Sequence, residues 1–322
     1  MTNSDFQPAN VLLFDPEPAL RHSTRSALLN IGFGDVVAVA EIDHFLEKAA
    51  VGDYDLILAE TLSPSGDMLE IIRSVRQNIV GTNPFVNIIL SMWNSAPEVV
   101  NKVINSGADD VISRPMSRTQ ILDRVFRLVQ ARKPFVVTTD YIGPDRHHNT
   151  RNFPARSAMI VPNSLRAKVE NKPEFAATAE TIKRAMTAVH ERKISIYTEQ
   201  LLRLSSAVLV LSGEYNELDD RKVAMISLRD INKRLMLQVK NTDLAHIVSF
   251  CEGLDKLIET IDKTRGSLKG QDRELLVQIP LAIHKACTEV QNSAALAFDI
   301  RDVAGKFRDN TSAKRPQLSS SV

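Results

Sequence analysis

Five short apolar runs, each followed by a longer segment with helical spacing, constrain this chain more than any other feature. The runs are Val11–Phe14, Val36–Val39, Leu56–Ala59, Val86–Leu90 and Asp110–Ser113. They are rich in Val, Ile and Leu, as strands covered on both faces must be. Between them, apolar residues recur at helical steps, as at Leu69, Ile72, Val75 and Ile79, or at Ile121, Val125 and Val129 behind Ser117 as an N-cap. Gly32 and Gly107 stand where helices should end. A strand–helix alternation of this kind predicts an α/β fold with a five-stranded, doubly wound parallel sheet. Ligands in such sheets sit beyond the carboxyl ends of the strands. The residues there are Asp15 to Glu17, Glu60, Ser91 and Arg114.

The alternation stops near Lys133. At 322 residues the chain has room for two domains. Residues 1–9 read as a tail and 10–133 as the α/β domain. Residues 134–172 carry prolines and basic side chains (Arg146, His147, His148, Arg151, Arg156, Arg166, Lys168) and read as a partly ordered linker with a basic face. From 173 to 308 helical periodicity takes over, clearest in Leu244, Ile247, Val248, Cys251, Leu254, Ile258 and Ile261. Asp243 is a candidate cap for that helix, and a rougher stripe runs through Val223, Leu228, Ile231 and Leu235. A bundle of four or five helices is expected, with Pro280 kinking or splitting one of them. Residues 309–322 are polar, Ser-rich and expected to be disordered.

The net charge of +1 gives no global field toward nucleic acid or anionic lipid. Cys251 and Cys287 lie among apolar residues without metal spacing and read as reduced core thiols of a cytoplasmic protein. The first ten residues lack an export signal, and the longest apolar stretch, around Ala207 to Leu211, reads as too short to span a bilayer.

The edge residues carry a resemblance. Val11-Leu-Leu-Phe-Asp-Pro-Glu-Pro18, Tyr54-Asp-Leu-Ile-Leu-Ala-Glu60 with Pro64 and Gly66 after it, Ile89-Leu-Ser91 and Gly107-Ala-Asp-Asp-Val-Ile-Ser-Arg-Pro115 stand in the order and spacing of a receiver domain. Residues 10–132 thus resemble the receiver of bacterial two-component response regulators. The resemblance implies a flavodoxin-like fold and a site at Asp15, Glu17, Glu60, Ser91 and Arg114. It also exposes departures. Glu60 stands at the phosphoacceptor aspartate, and its extra methylene moves the oxygen by about a bond length, enough to cost on the order of a hundredfold in an in-line attack. Pro16 replaces a carboxylate that ligates Mg²⁺, and proline offers no side-chain oxygen. Arg114 replaces lysine, with a planar fork and different reach. Val111 replaces the switch aromatic, and Ser91 alone matches. A degenerate receiver is expected, without cofactor; a weak Mg²⁺ site on Asp15, Glu17 and Glu60 is the residual alternative. A bidentate, partly buried Glu60–Arg114 pair either mimics a phosphorylated aspartate or merely neutralises charge.

Val137–Arg146 and Val161–Arg166 resemble a basic tail that follows receivers in some alphaproteobacterial regulators. His190-Glu-Arg-Lys193 weakly resembles a phosphorylated histidine box, but Ile194 and Ser195 follow where Thr-Pro or Gly would stand, so a solvated charged face is the blander reading. His246 and His284 lie beside apolar stripes as boundary histidines. A cyclic-dinucleotide reading of the linker arginines lacks the PilZ spacing, and no basic recognition helix points to DNA. The expectation is a non-enzymatic phosphorelay signalling protein. Its partner would be a histidine kinase or another regulator, bound through Asn101–Ile104, Ile121–Val129 or the bundle, with a homodimer as a further option. Neither DNA nor membrane is expected as partner. The alternative is a phosphoryl-accepting protein with slow receiver chemistry or acceptance at His190.

Overall fold

The computed structural model describes residues 6–146, 158–212, 218–263 and 268–289. The chain divides into two compact units, 1–189 and 190–322.

In the first unit, strands β1 (Asn10–Phe14), β2 (Asp35–Val39), β3 (Leu56–Glu60), β4 (Asn87–Met92) and β5 (Asp110–Ser113) form one parallel sheet of order β2-β1-β3-β4-β5. This is the predicted doubly wound sheet. Period-two alternation divides each strand between two cores. Val11, Leu13, Leu56 and Leu58 pack with residues of α1 (Pro18–Ile31) and α5 (Arg118–Gln130), while Leu12, Phe14, Ile57 and Ala59 pack with those of α2 (Ile42–Val51), α3 (Met68–Arg76) and α4 (Pro97–Ile104).

Local chemistry sets the helix ends. Pro18 opens α1, and Gly32 closes it at φ 116°, a left-handed conformation that glycine takes without a Cβ clash. Ser117 caps α5 in a full capping box, its hydroxyl accepting from Gln120 N–H while the Gln120 side chain accepts from Ser117 N–H. Helix α3 stops short of the predicted Ile79: Asn78 takes φ 60°, and Ile79 is left exposed.

The flanks read as a tail and a partly ordered linker are folded where described. Phe6, assigned to the tail, is buried against Phe33 and Phe126, with ring centroids 5.2 and 5.7 Å away. In the 134–172 stretch, β6 (Phe135–Val137) and β7 (Ile142–Pro144) make an antiparallel hairpin, Phe135 bridges to Met159, and α6 (Ser164–Val169) adds Leu165 and Val169 to the α1/α5 core. His147, His148, Arg151 and Arg156 lie outside the described residues.

The second unit takes helix α7 (Ala179–Leu211) from residue 190 onward, α8 (Leu218–Val239), α9 (Val248–Lys263) and α10 over 270–289. Their shared core holds Leu201, Val208, Leu228, Leu235, Leu254, Ile258 and Ile283 with both cysteines, which are free. Three expectations need correction. A 3-10 turn at Ala245–Ile247 precedes α9, and the Thr242 hydroxyl, not Asp243, accepts the Leu244 N–H. Val223 is exposed because the α8 stripe runs through Ala224, Leu228 and Leu235. Pro280 does not split its helix, which is continuous over 270–289. By length and composition alone α7 is long and apolar enough to cross a membrane, which the reading from short apolar runs missed. Its residues Ile194, Tyr197, Leu201 and Val208, however, belong to the bundle core.

Candidate functional site

Four strand ends bring the predicted residues together. Glu60 and Ser91 are register partners at the carboxyl ends of β3 and β4. Asp15 follows β1, tied by its N–H to Val39 O at 3.1 Å, and Arg114 follows β5, tied to Met92 O at 2.8 Å. Asp15, Glu60, Ser91 and Arg114 are all buried. The peptide bond from Arg114 to Pro115 is cis.

The guanidinium of Arg114 is the hub. Its Nη2 donates to Asp15 Oδ2 at 2.5 Å. Its Nε donates to Ser91 Oγ at 3.1 Å and lies 2.5 Å from Glu60 Oε2. Ser91 Oγ in turn donates to Glu60 Oε2 at 2.8 Å. The expected bidentate pair with Glu60 is therefore replaced by a fork divided between two carboxylates, because Asp15 and Glu60 converge on it from neighbouring strands. The other oxygens are also engaged. Glu60 Oε1 accepts from Thr61 Oγ1 and Leu62 N–H, each at 3.2 Å, and Asp15 Oδ1 accepts from Glu17 N–H at 3.0 Å.

Glu17 does not join the cup. It occupies the N-cap position of α1 with its side chain exposed, since the turn after Asp15 directs it outward. Two residues that the sequence reading passed over do join. Arg21, one turn into α1, donates to the carbonyls of Asp15 at 2.7 Å and Pro16 at 3.3 Å. Trp93, half exposed beyond β4, has its ring centroid 5.9 Å from the Arg114 guanidinium carbon. A basic residue one helical turn after the acidic pair was the available signal for Arg21; Trp93 had only its position two residues past Ser91.

These residues do not fit Mg²⁺, which wants an octahedral set of hard oxygens. Position 16 offers no side-chain oxygen, Glu17 is turned away, and the oxygens of Asp15 and Glu60 are spent on N–H and O–H donors. Among the described residues, no three metal-ligating side chains cluster.

The opposite edge of the sheet carries a second buried charge cluster. Arg76, 1% exposed, donates to Gly107 O, Pro84 O, Val86 O and Asp109 Oδ2 at 2.7–2.8 Å. Arg132 reaches the same Asp109 at 2.8 Å. Burial alone would raise the Asp109 carboxyl, but Arg132 and Arg76 outweigh it and hold it below the usual aspartate value. Burial also lowers Arg76, to about 10, against the pull of Asp109. Phe135 of the hairpin lies with its ring 5.1 Å from the Arg76 guanidinium carbon and 4.9 Å from that of Arg132. Nearby, Lys168 of α6 pairs with buried Asp55 at 2.8 Å.

His190 is exposed on α7, with Nδ1 2.9 Å from Gln238 Oε1 of α8. His284 Nδ1 lies 3.0 Å from Thr198 Oγ1, as a boundary histidine would.

Residues 11–126 match the response regulator receiver domain. The rice (Oryza sativa subsp. japonica) two-component response regulator ORR41 is 32% identical over 114 residues, which cover 34% of this chain and 87% of the rice protein. The chain belongs to the response regulator receiver family. The transcriptional regulatory protein TrcR of Mycobacterium tuberculosis is also 32% identical, over 127 residues, 39% of this chain and 48% of TrcR; the chain thus spans about half the length of that relative. Among solved structures, the Vibrio cholerae chemotaxis protein CheY4 is 22% identical with a TM-score of 0.34, covering 37% of this chain and 97% of CheY4. The magnesium-bound receiver domain of the sensor histidine kinase PA1611 from Pseudomonas aeruginosa PAO1 is 23% identical with a TM-score of 0.33, covering 37% of this chain and 94% of that domain.

Proposed function

We propose that this chain is a degenerate response regulator of a bacterial phosphorelay, non-enzymatic and cytoplasmic, which acts by protein–protein contact. Its receiver unit presents a fixed surface, and its helical bundle carries the output. The partner is a signalling protein such as a histidine kinase or another regulator. The carrying observation is that both oxygens of Glu60 are engaged: Oε2 is held by Ser91 and Arg114, and Oε1 by Thr61 and the Leu62 N–H, which supports a site without a free nucleophile. An attacking oxygen must present a lone pair in line with the donor phosphorus, and here each candidate lone pair points at a donor. The same contacts favour mimicry over drift, since the carboxylate spans from β3 to Ser91 and Arg114 in one network.

The test is incubation of the full chain with acetyl phosphate and MgCl₂, followed by intact-mass measurement. No phosphoryl adduct is expected. An adduct that disappears in Glu60→Ala would restore the phosphoryl-accepting alternative, and one that maps to His190 would move it to the bundle. Glu60→Gln keeps the shape but halves the negative charge facing Arg114, and is expected to weaken partner capture if the charged network shapes the surface.

A further inference from the structure

The carboxyl edge of the sheet holds two carboxylates at 1% and 3% exposure, on Asp15 and Glu60. Buried carboxylates that stay ionised need a counter-cation and a full set of donors. A receiver of ordinary composition would take Mg²⁺ for this, and the residues here do not fit that ion. We propose that the Arg114 guanidinium is the resident cation of the site, joining Asp15 after β1 to Glu60 at the end of β3 and making the arrangement of this edge independent of Mg²⁺.

Four observations carry this. The guanidinium reaches both carboxylates at 2.5 Å from a backbone position fixed by the Met92 carbonyl. Ser91 closes the ring by accepting from Arg114 and donating to Glu60, so the two carboxylates, the hydroxyl and the guanidinium form one connected network. Arg21 donates to the Asp15 and Pro16 carbonyls and so places a second cationic side chain at the turn that carries Asp15. Trp93 lies against the outer side of the same guanidinium. A free ion dissociates, and its hold on the fold varies with its concentration. A cation on the chain does neither, so the surface around Trp93 keeps one state whether or not the metal is present. The inference rests on the proposed non-phosphorylatable reading and names how that site is regulated: by sequence, without an ionic input.

Trp93 is the chain's one tryptophan and reports on this edge. The full chain is titrated with MgCl₂ through the millimolar range, and separately treated with EDTA, while Trp93 emission and the thermal midpoint are followed. Wild type should show no saturable change in either. Arg114→Ala frees both carboxylates and should gain a saturable emission change together with a midpoint that rises with Mg²⁺; adding Asp15→Asn should abolish the gain. A saturable response in wild type that is lost in Asp15→Asn overturns the proposal. So does an Arg114→Ala protein that folds but ignores Mg²⁺, or one that stays as unfolded in MgCl₂ as in EDTA. A phosphoryl adduct on a protein whose Trp93 ignores Mg²⁺ would instead sink the non-phosphorylatable reading and leave the resident cation standing.

Discussion

Arg76 and Arg114 are both sunk in the protein, and their surroundings give them different roles. Arg76 holds structure: its donors go to three carbonyls and to Asp109, all at the amino edge of the sheet, away from any carboxyl-edge chemistry. Breaking a buried pair by removing one partner costs about 3–5 kcal/mol, because the other charge and the orphaned carbonyls stay buried. Arg76→Met is therefore expected to lower the unfolding free energy of the α/β unit by that order, seen as an earlier urea midpoint in Trp93 emission; a change within experimental scatter would mean that Arg132 alone satisfies Asp109. The pH dependence follows from the depressed Asp109 carboxyl. A carboxyl held below its unfolded value contributes stability that is complete above about pH 3.9 and is lost as pH falls from there through the folded value. A carboxyl-carbon NMR titration should find Asp109 ionised below pH 3.9, and a value at or above the ordinary one would contradict the charge cluster. Sequence reading located Asp15, Glu60, Ser91 and Arg114 because each terminates a strand in a fold whose strand ends converge. It misplaced Glu17, whose direction depends on the turn into α1, and it missed Arg76, whose partners come from Pro84, Val86, Gly107 and Asp109 and meet only after folding.

The 134–172 segment is where element-scale reading from sequence departs furthest from the structure. Prolines and basic residues suggested a partly ordered linker with a basic face, whereas the described part is bonded into the receiver unit. Two of its basic residues turn toward the sheet: Arg146 donates to the carbonyls of Ala108 and Asp109, and Lys168 reaches Asp55. Asn163 joins them, accepting from the Asn87 side chain and donating to Leu128 O. Such contacts have no periodicity to read, whereas the five strands and their helices announced themselves by period. Phe135 is the keystone, fully buried, edge-on to Phe85 at 5.9 Å and flanked by two guanidinium groups. Phe135→Ala should cost about 3–5 kcal/mol through lost burial and the cavity left behind. Phe135→Leu keeps most of the volume and forfeits mainly the ring's contacts with the arginines, about 0.5–2 kcal/mol. Urea unfolding followed at Trp93 separates the two. Equal losses would show that the cation–ring contacts, and not packing, hold the hairpin down.

At the scale of the whole chain, the two units offer separate probes. Trp93 belongs to the α/β unit, and Cys251 and Cys287 belong to the bundle core, where each is at most 1% exposed. Burial pushes the Cys251 thiol up to about 12, with Cys287 and Glu252 adding to the effect, and burial pushes Cys287 up to about 11. A thiol must lose its proton to attack an alkylating reagent. Both should therefore resist iodoacetamide in the folded chain at neutral pH and react once urea opens the bundle, so that labelling measures bundle unfolding while Trp93 emission measures the α/β unit. The alkaline limb carries a sign that can be tested. In the unfolded chain thiols begin to ionise near pH 8.5, whereas in the folded bundle they keep their protons to about 11 or 12. Over that interval the unfolded state binds fewer protons than the folded one, so stability falls as pH rises. The labelling midpoint should accordingly move to lower urea between about pH 9 and 11. In a Cys251→Ala, Cys287→Ala chain, followed by helical circular dichroism, this fall should flatten; an alkaline slope unchanged by the double substitution would show that other groups govern it.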